Sequence, residues 1–250
     1  MARGAPPLVL PEDRHWWFSS RTLALQSVVD PLVQRRGLVL DVGGGAGNMV
    51  HHLSRYGSVI GLDNAIKPLK VAWERGYKAV PGQATAMPFP ASAFSMVAML
   101  DVIEHCADDR QVLGEAFRVC EPGGLGLITT PALPWLWSHN DVANHHARRY
   151  TRPHLRALLT DVGFDVARIS YTFFLVFPAA AGLVLLRKAM GAKADISTPA
   201  DDDAYQVEME PVPGPLNSLL AMMGRAEAAL LRRTDLVPGT ALLAVARKPC

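Results

Sequence analysis

The chain has 250 residues, of which half are hydrophobic and 19% are charged, and its formal net charge at pH 7 is +2. This length and composition predict one substantial hydrophobic core with room for an accessory lid. The balanced charge argues against a nucleic-acid-binding protein, which would carry a basic stripe that this sequence lacks. Three cysteines without metal-ligand spacing and an N-terminus without a signal-peptide core indicate a cytoplasmic protein.

The first predicted element lies within residues 11–37, which we expect to form a lid over the sheet. It contains a run of aromatic side chains followed by an arginine: His15, Trp16, Trp17, Phe18 and Arg21. Adjacent aromatics cannot all face one side of a helix, so some should point to the core and others toward a ligand. The alternative is that the tryptophans only pin a helix onto the sheet. A helix over residues 23–33 should follow, ended by two arginines and a glycine.

Residues 38–49 read LVLDVGGGAGNM, which places an apolar strand directly before a glycine-rich turn. Glycines allow the backbone to turn sharply against a ligand. A dinucleotide fingerprint starting at Gly43 would put its third glycine where Asn48 stands, which weakens a pyrophosphate-binding interpretation. Asp41 leads the turn, and an acidic residue there suits a cationic ligand better. At this point a turn without any ligand remains an alternative.

Three further segments follow in chain order. They read VIGLD (59–63), GQATAMPF (82–89) and FSMVAMLDVIEH (94–105). Together with the glycine turn, these segments resemble the motifs of class I S-adenosylmethionine-dependent methyltransferases over residues 38–130, about half of the chain. Several motifs in the right order are far more specific than any one of them.

The resemblance implies a seven-stranded, mostly parallel, doubly wound α/β sheet of the Rossmann-like type. It implies a transferase that uses S-adenosyl-L-methionine and releases S-adenosyl-L-homocysteine. The residues it implies as cofactor contacts are Asp41, Gly43, Gly44, Gly45, Gly47, Asp63, Asn64, Gln83, Ala84, Met87 and Asp101. Asp63 should bind the ribose hydroxyls, and Asp101 should lie beside the methionine moiety. Gln83 stands where the family has an aspartate, but its amide can still accept a hydrogen bond from the adenine amino group.

Glu104 and His105 are expected to begin the helix after the fourth strand, either as caps or as ligand contacts. Beyond the fifth strand, residues 131–150 read PALPWLWSHNDVANHHARRY, and they should lie over the reactive side of the cofactor as an acceptor loop. This loop and the N-terminal aromatic run resemble the L-W-S-x-x-D, H-x-R-R-Y and H-x-W-F-x-x-R patterns of a subgroup that modifies glycans, lipids or natural products. The expected substrate contacts are Trp16, Trp17, Arg21, Trp137, Arg148, Arg149 and Tyr150.

Methyl transfer to a neutral hydroxyl is helped by a base, and the loop offers histidines for that role. We expect His146 to be the base, with His145 and His139 as rivals and Asp141 as an orienting carboxylate. The alternatives are that these side chains are structural, or that an acidic acceptor needs no base. The three histidines and Asp141 fit no common metal spacing, so we expect no metal.

The last third of the chain holds two predicted apolar helices and the final strands. Residues 172–186 carry no charge and precede Arg187 and Lys188, but they are too short for a bilayer-spanning helix and contain a proline and a glycine. We expect a helix buried in the lid or, alternatively, a face for a membrane surface or lipid substrate. Residues 195–215 should be a mobile connection, and residues 215–233 a helix with an apolar face over Leu219, Leu220, Met223, Ala226 and Leu230.

We therefore predict a lid helix over residues 1–37, a cofactor-binding core over 38–172, an apolar helical insertion over 173–238 and a final edge strand over 239–250. The predicted function is O-methylation of a small-molecule, glycan or lipid-linked acceptor in biosynthesis. The alternatives are a quinone or lipid methyltransferase that contacts the membrane peripherally through residues 172–186, and a non-catalytic cofactor-binding scaffold. Methylation of a nitrogen or carbon atom of the acceptor is a further alternative.

Overall fold

The structure is a computed structural model that describes residues 11–190 and 212–250. The strands are β1 (Gly37–Val42), β2 (Gly57–Asp63), β3 (Ala79–Pro81), β4 (Phe94–Leu100), β5 (Cys120–Pro131), β6 (Asp165–Thr172) and β7 (Ala241–Arg247). The helices are α1 (Trp16–Val29), α2 (Val50–Leu53), α3 (Ile66–Glu74), α4 (Asp109–Val119), α5 (His139–Ala143), α6 (Arg152–Asp161), α7 (Phe177–Ala189) and α8 (Gly214–Leu231).

The strands form one seven-stranded sheet in the order β3-β2-β1-β4-β5-β7-β6. Strands β1 to β5 run parallel, whereas β7 pairs antiparallel with both β5 and β6. This confirms the predicted doubly wound, mostly parallel sheet. The strand order reverses between β1 and β4, and in open α/β sheets ligands bind outside the carboxyl ends of the strands at such a point. The ends of β1, β2 and β4 are therefore the place to look for a site.

Helices cover both faces of the sheet, as the alternating side chains of β4 show. Val97 and Met99 belong to a cluster with residues of α4 and α6, while Met96 and Ala98 belong to a second cluster with residues of α1 and α8. Successive side chains of a strand point to opposite faces, so the run of apolar residues in β4 is explained by burial on both sides. Each cluster excludes water from one face of the sheet.

The N-terminal helix begins earlier than predicted. It runs from Trp16 to Val29, whereas the prediction was residues 23–33. The aromatic run thus lies in its first turn. His15 caps the helix, with its Nδ1 accepting from the backbone N–H of Trp17, and the N–H of Trp16 donates to the side chain of Asn217 on α8. The sequence pattern missed this start because the second cap comes from a residue two hundred positions away.

Glu104 and His105 do not begin the next helix, contrary to expectation. They lie in a short 3₁₀ turn over Ile103–His105, and α4 starts only at Asp109. The physical reason is the cap of α4, since the Asp108 side chain accepts from the N–H of Gln111 and fixes the helix start there. Glu104 is left in a turn at the end of β4.

The apolar insertion is not buried as expected. Ala181 is the one buried side chain of α7, whereas Leu183, Leu185 and Leu186 are 49%, 54% and 56% exposed. In the two described ranges, no helix is long and apolar enough to cross a bilayer. The predicted connection over residues 195–215 lies almost entirely outside the described residues.

The apolar face predicted for the following helix is also wrong. Helix α8 buries Glu227, Ala228 and Leu231, while Leu219 and Leu230 are exposed. The reason is that α8 packs against α1, where a Cβ on Gly224 would meet the Ser20 side chain. Glu227 is buried because its carboxylate accepts from the backbone N–H groups of Phe173 and Leu175.

Candidate cofactor and acceptor site

The turn after β1 can be built only with glycines. Gly43 and Gly47 have φ of +68° and +79°, a region that other residues rarely adopt. A Cβ on Gly47 would lie 2.3 Å from the ring of Tyr77, and one on Gly44 would lie 3.0 Å from Asp41 Oδ2. The backbone N–H groups of this turn are thereby held close to the carboxyl end of β1.

Asp63 at the end of β2 is fixed by the same turn. Its Oδ2 accepts from the N–H of Gly45 at 2.9 Å, and its Oδ1 accepts from the N–H of Ala65 at 2.8 Å. Each carboxylate oxygen can accept a further hydrogen bond, so both remain able to receive ligand hydroxyls. Asn64 follows on the surface. The carboxylate predicted to bind a ribose is therefore held in one orientation beside the turn.

Asp41 is buried and only partly satisfied. Its exposed fraction is 2%, and its Oδ2 has no hydrogen-bond partner among the residues that the structure describes. Burial raises the pKa of Asp41 to about 7; the positive charge of Arg21 opposes this rise and the negative charge of Asp63 adds to it. A buried carboxyl group of this kind favours a ligand that brings a positive charge or a hydrogen-bond donor.

Arg21 of α1 reaches across to the end of β4. Its Nη1 donates to Asp101 Oδ2 at 2.6 Å, and Asp101 Oδ1 accepts from the Thr129 hydroxyl at 3.0 Å. The guanidinium lies over the ring of Trp17, 4.8 Å from its centroid, and Trp17 in turn stacks on Phe173 at 5.7 Å. The Nε of Arg21 is buried and, within the described ranges, has no acceptor. The sequence predicted Arg21 as a substrate contact and gave no sign that it would pair with Asp101.

The segment 82–89 folds against the end of β2, because a Cβ on Gly82 would lie 2.8 Å from the Leu62 side chain. Gln83 is exposed, and Ala84 is partly exposed. Met87 is buried in the core, and its N–H donates to the Glu115 carboxylate. Gln83 and Ala84 are thus open to a ligand beside β2, whereas the Met87 side chain faces the core.

In the acceptor loop, His146 and Asp141 form a pair. The distance from His146 Nδ1 to Asp141 Oδ1 is 3.0 Å, and Arg149 Nε donates to the same oxygen at 2.7 Å. Asp141 is fully buried, and its Oδ2 accepts from the N–H and the hydroxyl of Ser138. Burial alone raises the pKa of Asp141, but hydrogen bonds from His146, Arg149 and Ser138 outweigh it and lower that pKa. The ionised Asp141 therefore accepts from Nδ1–H of His146 and leaves the Nε2 lone pair available.

The loop is tied to the end of β4. The N–H of Ala147 donates to the carbonyl oxygen of Glu104 at 2.7 Å, and the rings of His105 and His146 are 4.8 Å apart. Glu104 is fully buried, and burial together with the charge of Asp101 raises its pKa well above the usual range. Glu104, His105 and His146 also lie close enough to form a candidate metal-binding group, a different set from the one considered in the sequence.

The remaining loop residues divide into structural and exposed ones. Tyr150 is fully buried and its hydroxyl donates to Asp109 Oδ2 at 2.8 Å, while Arg148 donates to the same oxygen at 2.9 Å. Both side chains anchor the loop to α4. The complete burial of Tyr150 corrects its prediction as a substrate contact, whereas the Arg148 side chain stays 33% exposed. His145 is exposed, and His139 Nδ1 lies 3.4 Å from Arg187 Nη1. Trp137 is partly buried.

Comparison with known proteins agrees with this geometry. Residues 40–128 match the model of a methyltransferase domain family. Residues 40–128 therefore form a methyltransferase domain. A probable S-adenosylmethionine-dependent methyltransferase of Mycolicibacterium smegmatis is 30% identical over 161 residues, 62% of this chain and 61% of the relative. A ubiquinone biosynthesis O-methyltransferase of Paracidovorax citrulli is 37% identical over 110 residues, 40% of this chain and 45% of the relative.

The chain therefore spans less than two thirds of the length of these two relatives. Among solved structures, a phosphoethanolamine N-methyltransferase of Haemonchus contortus in complex with S-adenosylmethionine superposes with a TM-score of 0.57 at 16% identity, over 90% of this chain and 52% of that one. That similarity supports the fold of this methyltransferase domain, and one fold hosts many acceptors. The acceptor has to be argued from the site itself.

Proposed function

We propose that this protein transfers the methyl group of S-adenosylmethionine to a hydroxyl group of a lipophilic small molecule. The observation that supports this most is a pair of buried groups at the strand ends. Asp41 Oδ2 is an acceptor and Arg21 Nε is a donor, and within residues 11–190 and 212–250 neither has a partner. The amino-acid end of S-adenosylmethionine offers an ammonium and a carboxylate, which complement these two groups.

In this proposal each polar side chain around the strand ends binds one part of S-adenosylmethionine. Asp63 accepts from the ribose hydroxyls, because its orientation is already fixed by two backbone N–H groups. Asp41 and Asp101 bind the ammonium, and Arg21 binds the carboxylate, so that Arg21 becomes a cofactor contact. Gln83 accepts from the adenine amino group. Bound S-adenosylmethionine supplies an electrophilic methyl group on a sulfonium.

His146 is the base of the proposed reaction. Its Nε2 takes the proton of the acceptor hydroxyl, and the charge of Asp141 on Nδ1 stabilises the imidazolium that results. The rivals are less well supported, since His145 is exposed and His139 lies beside the cationic Arg187. Asp141 is therefore a positioning residue that acts through His146.

We infer a lipophilic acceptor from a cluster of aromatic side chains next to Arg21. Trp17, Phe173 and Trp16 form one cluster, with Trp16 meeting the Phe173 ring edge-on at 6.0 Å. A relative of this chain is a ubiquinone biosynthesis O-methyltransferase, and a quinol-type phenol is a weakly acidic hydroxyl that gains from a base. We therefore favour a phenolic or quinol-like acceptor over a glycan.

The test combines cofactor binding with product detection. Calorimetry with S-adenosylhomocysteine measures cofactor binding, and mass spectrometry of reactions with phenolic and hydroquinone acceptors detects a gain of one methyl group. The proposal predicts a methylated product that disappears in His146→Gln while S-adenosylhomocysteine affinity is unchanged. Cofactor binding without any methylated product from these acceptors would instead favour the non-catalytic scaffold.

A second candidate is methylation of a lipid acceptor at the membrane surface. Half-exposed leucines of α7, Leu183 and Leu186, lie next to Arg187 and Lys188, a combination that suits the surface of an anionic bilayer. Flotation with anionic phospholipid vesicles should carry the protein upward, and the double change of Leu183 and Leu186 to serine should abolish this. The matched control is Ile66→Ser, which removes an exposed apolar side chain elsewhere. No flotation of the unaltered protein would rule this candidate out.

A further inference from the structure

A second cluster of polar side chains lies away from the acceptor loop, where the segment before α1 meets α2. Asp13 belongs to the short 3₁₀ turn Pro11–Arg14, and His51 and His52 belong to α2, directly after the glycine turn. The Nε2 of His52 is 2.7 Å from Asp13 Oδ1, and the Nε2 of His51 is 3.3 Å from Asp13 Oδ2. Two imidazoles thus point their Nε2 atoms at one carboxylate.

We propose that Asp13, His51 and His52 bind a divalent transition metal ion such as Zn²⁺ through the two Nε2 atoms and the carboxylate. One ligand atom from each residue lies within 4.8 Å of the others. Zinc binds nitrogen and oxygen ligands at about 2.0–2.2 Å, so tetrahedral ligands stand about 3.4 Å apart. The two observed nitrogen–oxygen separations, 2.7 and 3.3 Å, differ from this value by about 0.7 and about 0.1 Å, and each involves a different oxygen of the Asp13 carboxylate.

The chemistry of the three ligands selects the metal. Two imidazole nitrogens and one carboxylate suit Zn²⁺, Co²⁺ or Ni²⁺, whereas Mg²⁺ and Ca²⁺ prefer ligand sets made of oxygen alone. The three side chains are 15%, 17% and 20% exposed, so solvent can reach the cluster and supply a fourth ligand. Three protein ligands with water in the fourth position is a common zinc arrangement.

The surroundings of His51 indicate how tightly the ion is held. When Nε2 of a neutral imidazole binds a metal, the proton resides on Nδ1 and is normally bound by a second group. The Nδ1 of His51 is buried, and the described part of the chain offers it no partner. This missing contact predicts binding about 10- to 100-fold weaker than at a zinc site whose histidines all have such a second partner.

Occupancy of this site has a structural consequence. The metal would tie the segment before α1 to the helix after the glycine turn, and α1 carries Trp17 and Arg21 over the cofactor site. The inference does not depend on methyl transfer, because metal binding is measured without any substrate. It stands or falls separately from the proposed function.

The experiment uses the full chain after removal of metal with a chelator. Titration with Co²⁺ is followed by visible absorption, and Zn²⁺ competition and calorimetry give affinity and stoichiometry. We expect one ion per chain and at least a tenfold loss of affinity in His51→Gln and in His52→Gln. At a hundredfold excess over the dissociation constant, Zn²⁺ should raise the melting temperature by about 5–10 °C.

Two controls keep the outcome interpretable. His154→Gln changes an exposed histidine elsewhere, and His105→Gln changes the other candidate metal group; both should retain full affinity. Asp13→Asn retains both imidazoles, so weakened binding in this variant supports the site even if a histidine variant folds poorly. No saturable Zn²⁺ or Co²⁺ binding at millimolar metal, or unchanged affinity in the His51 and His52 variants, would overturn the proposal.

Discussion

The buried carboxyl group of Asp41 makes the stability of the ligand-free protein depend on pH in a way that one substitution removes. Burial raises the pKa of Asp41 from 3.8 to about 7. The folded state therefore holds a proton that the unfolded chain releases between these two pH values. The stabilisation that results is present in full below pH 3.8, and it is lost as pH rises to about 7. Asp41→Asn keeps the shape of the side chain but cannot titrate.

The expected magnitude follows from the two pKa values. A difference of about 3 units corresponds to roughly 4 kcal/mol in the free energy of unfolding over the whole range. Between about pH 6 and pH 8, the unaltered protein should lose about 1.4 kcal/mol relative to Asp41→Asn, and above about pH 8 the difference should stay constant. For a chain of this size that loss lowers the melting temperature by about 3–6 °C relative to the variant.

The assay is urea unfolding of the ligand-free protein and of Asp41→Asn at a series of pH values. Taking the difference between the two proteins cancels the titration of other buried groups, such as Glu104. Asp165→Asn is the control because it changes an exposed aspartate on β6, and its curve should follow that of the unaltered protein. The reasoning would be refuted if the free energies of unfolding of the two proteins changed in parallel with pH. Asp41 would then ionise in the folded protein at the same pH as in the unfolded chain.

Three further predictions concern the other acids and the histidine. Asp63→Ala should weaken S-adenosylhomocysteine binding by about 1–3 kcal/mol in calorimetry, because charge-assisted hydrogen bonds are lost; unchanged affinity would remove the ribose role. His146→Gln should lower kcat by about 10²–10⁴-fold while S-adenosylhomocysteine affinity stays the same, and an unchanged kcat would reject it as base. Glu104→Gln should become progressively more stable than the unaltered protein as pH rises above the usual range of a glutamate, because burial and the charge of Asp101 raise the pKa of Glu104 in the folded state only. Urea unfolding over a series of pH values checks this, and a difference between the two proteins that stays constant with pH would contradict it.

The sheet and the glycine turn after β1 could be predicted because their sequence signals are local. The strand before Asp41, the glycines after it and the acid ending β2 lie within one βαβ unit, where backbone geometry dictates residue type. The cap at Thr151 is equally local, since its hydroxyl accepts from the N–H of His154 three residues later, and α6 begins at Arg152. Such features depend on neighbours in sequence.

Contacts between distant segments could not be predicted from the sequence. Arg21 meets Asp101 eighty positions away, and Tyr150 is buried against Asp109, so no spacing rule could assign either role. The leucines of α7 show no strict helical period, so burial and exposure could not be told apart. Glu104 likewise contacts residues distant in sequence, since its carboxylate accepts from the Thr130 hydroxyl and its carbonyl oxygen accepts from the N–H of Ala147.

The central claim is that the strand ends at Asp41, Asp63 and Asp101 bind a sulfonium cofactor. The most direct measurement is calorimetric titration of the full chain with S-adenosylhomocysteine, alongside a nicotinamide dinucleotide. The account predicts one S-adenosylhomocysteine per chain, affinity that falls about 10- to 100-fold in Asp63→Ala, and no saturable binding of the dinucleotide. Saturable binding of the dinucleotide, or no heat from S-adenosylhomocysteine, would contradict it.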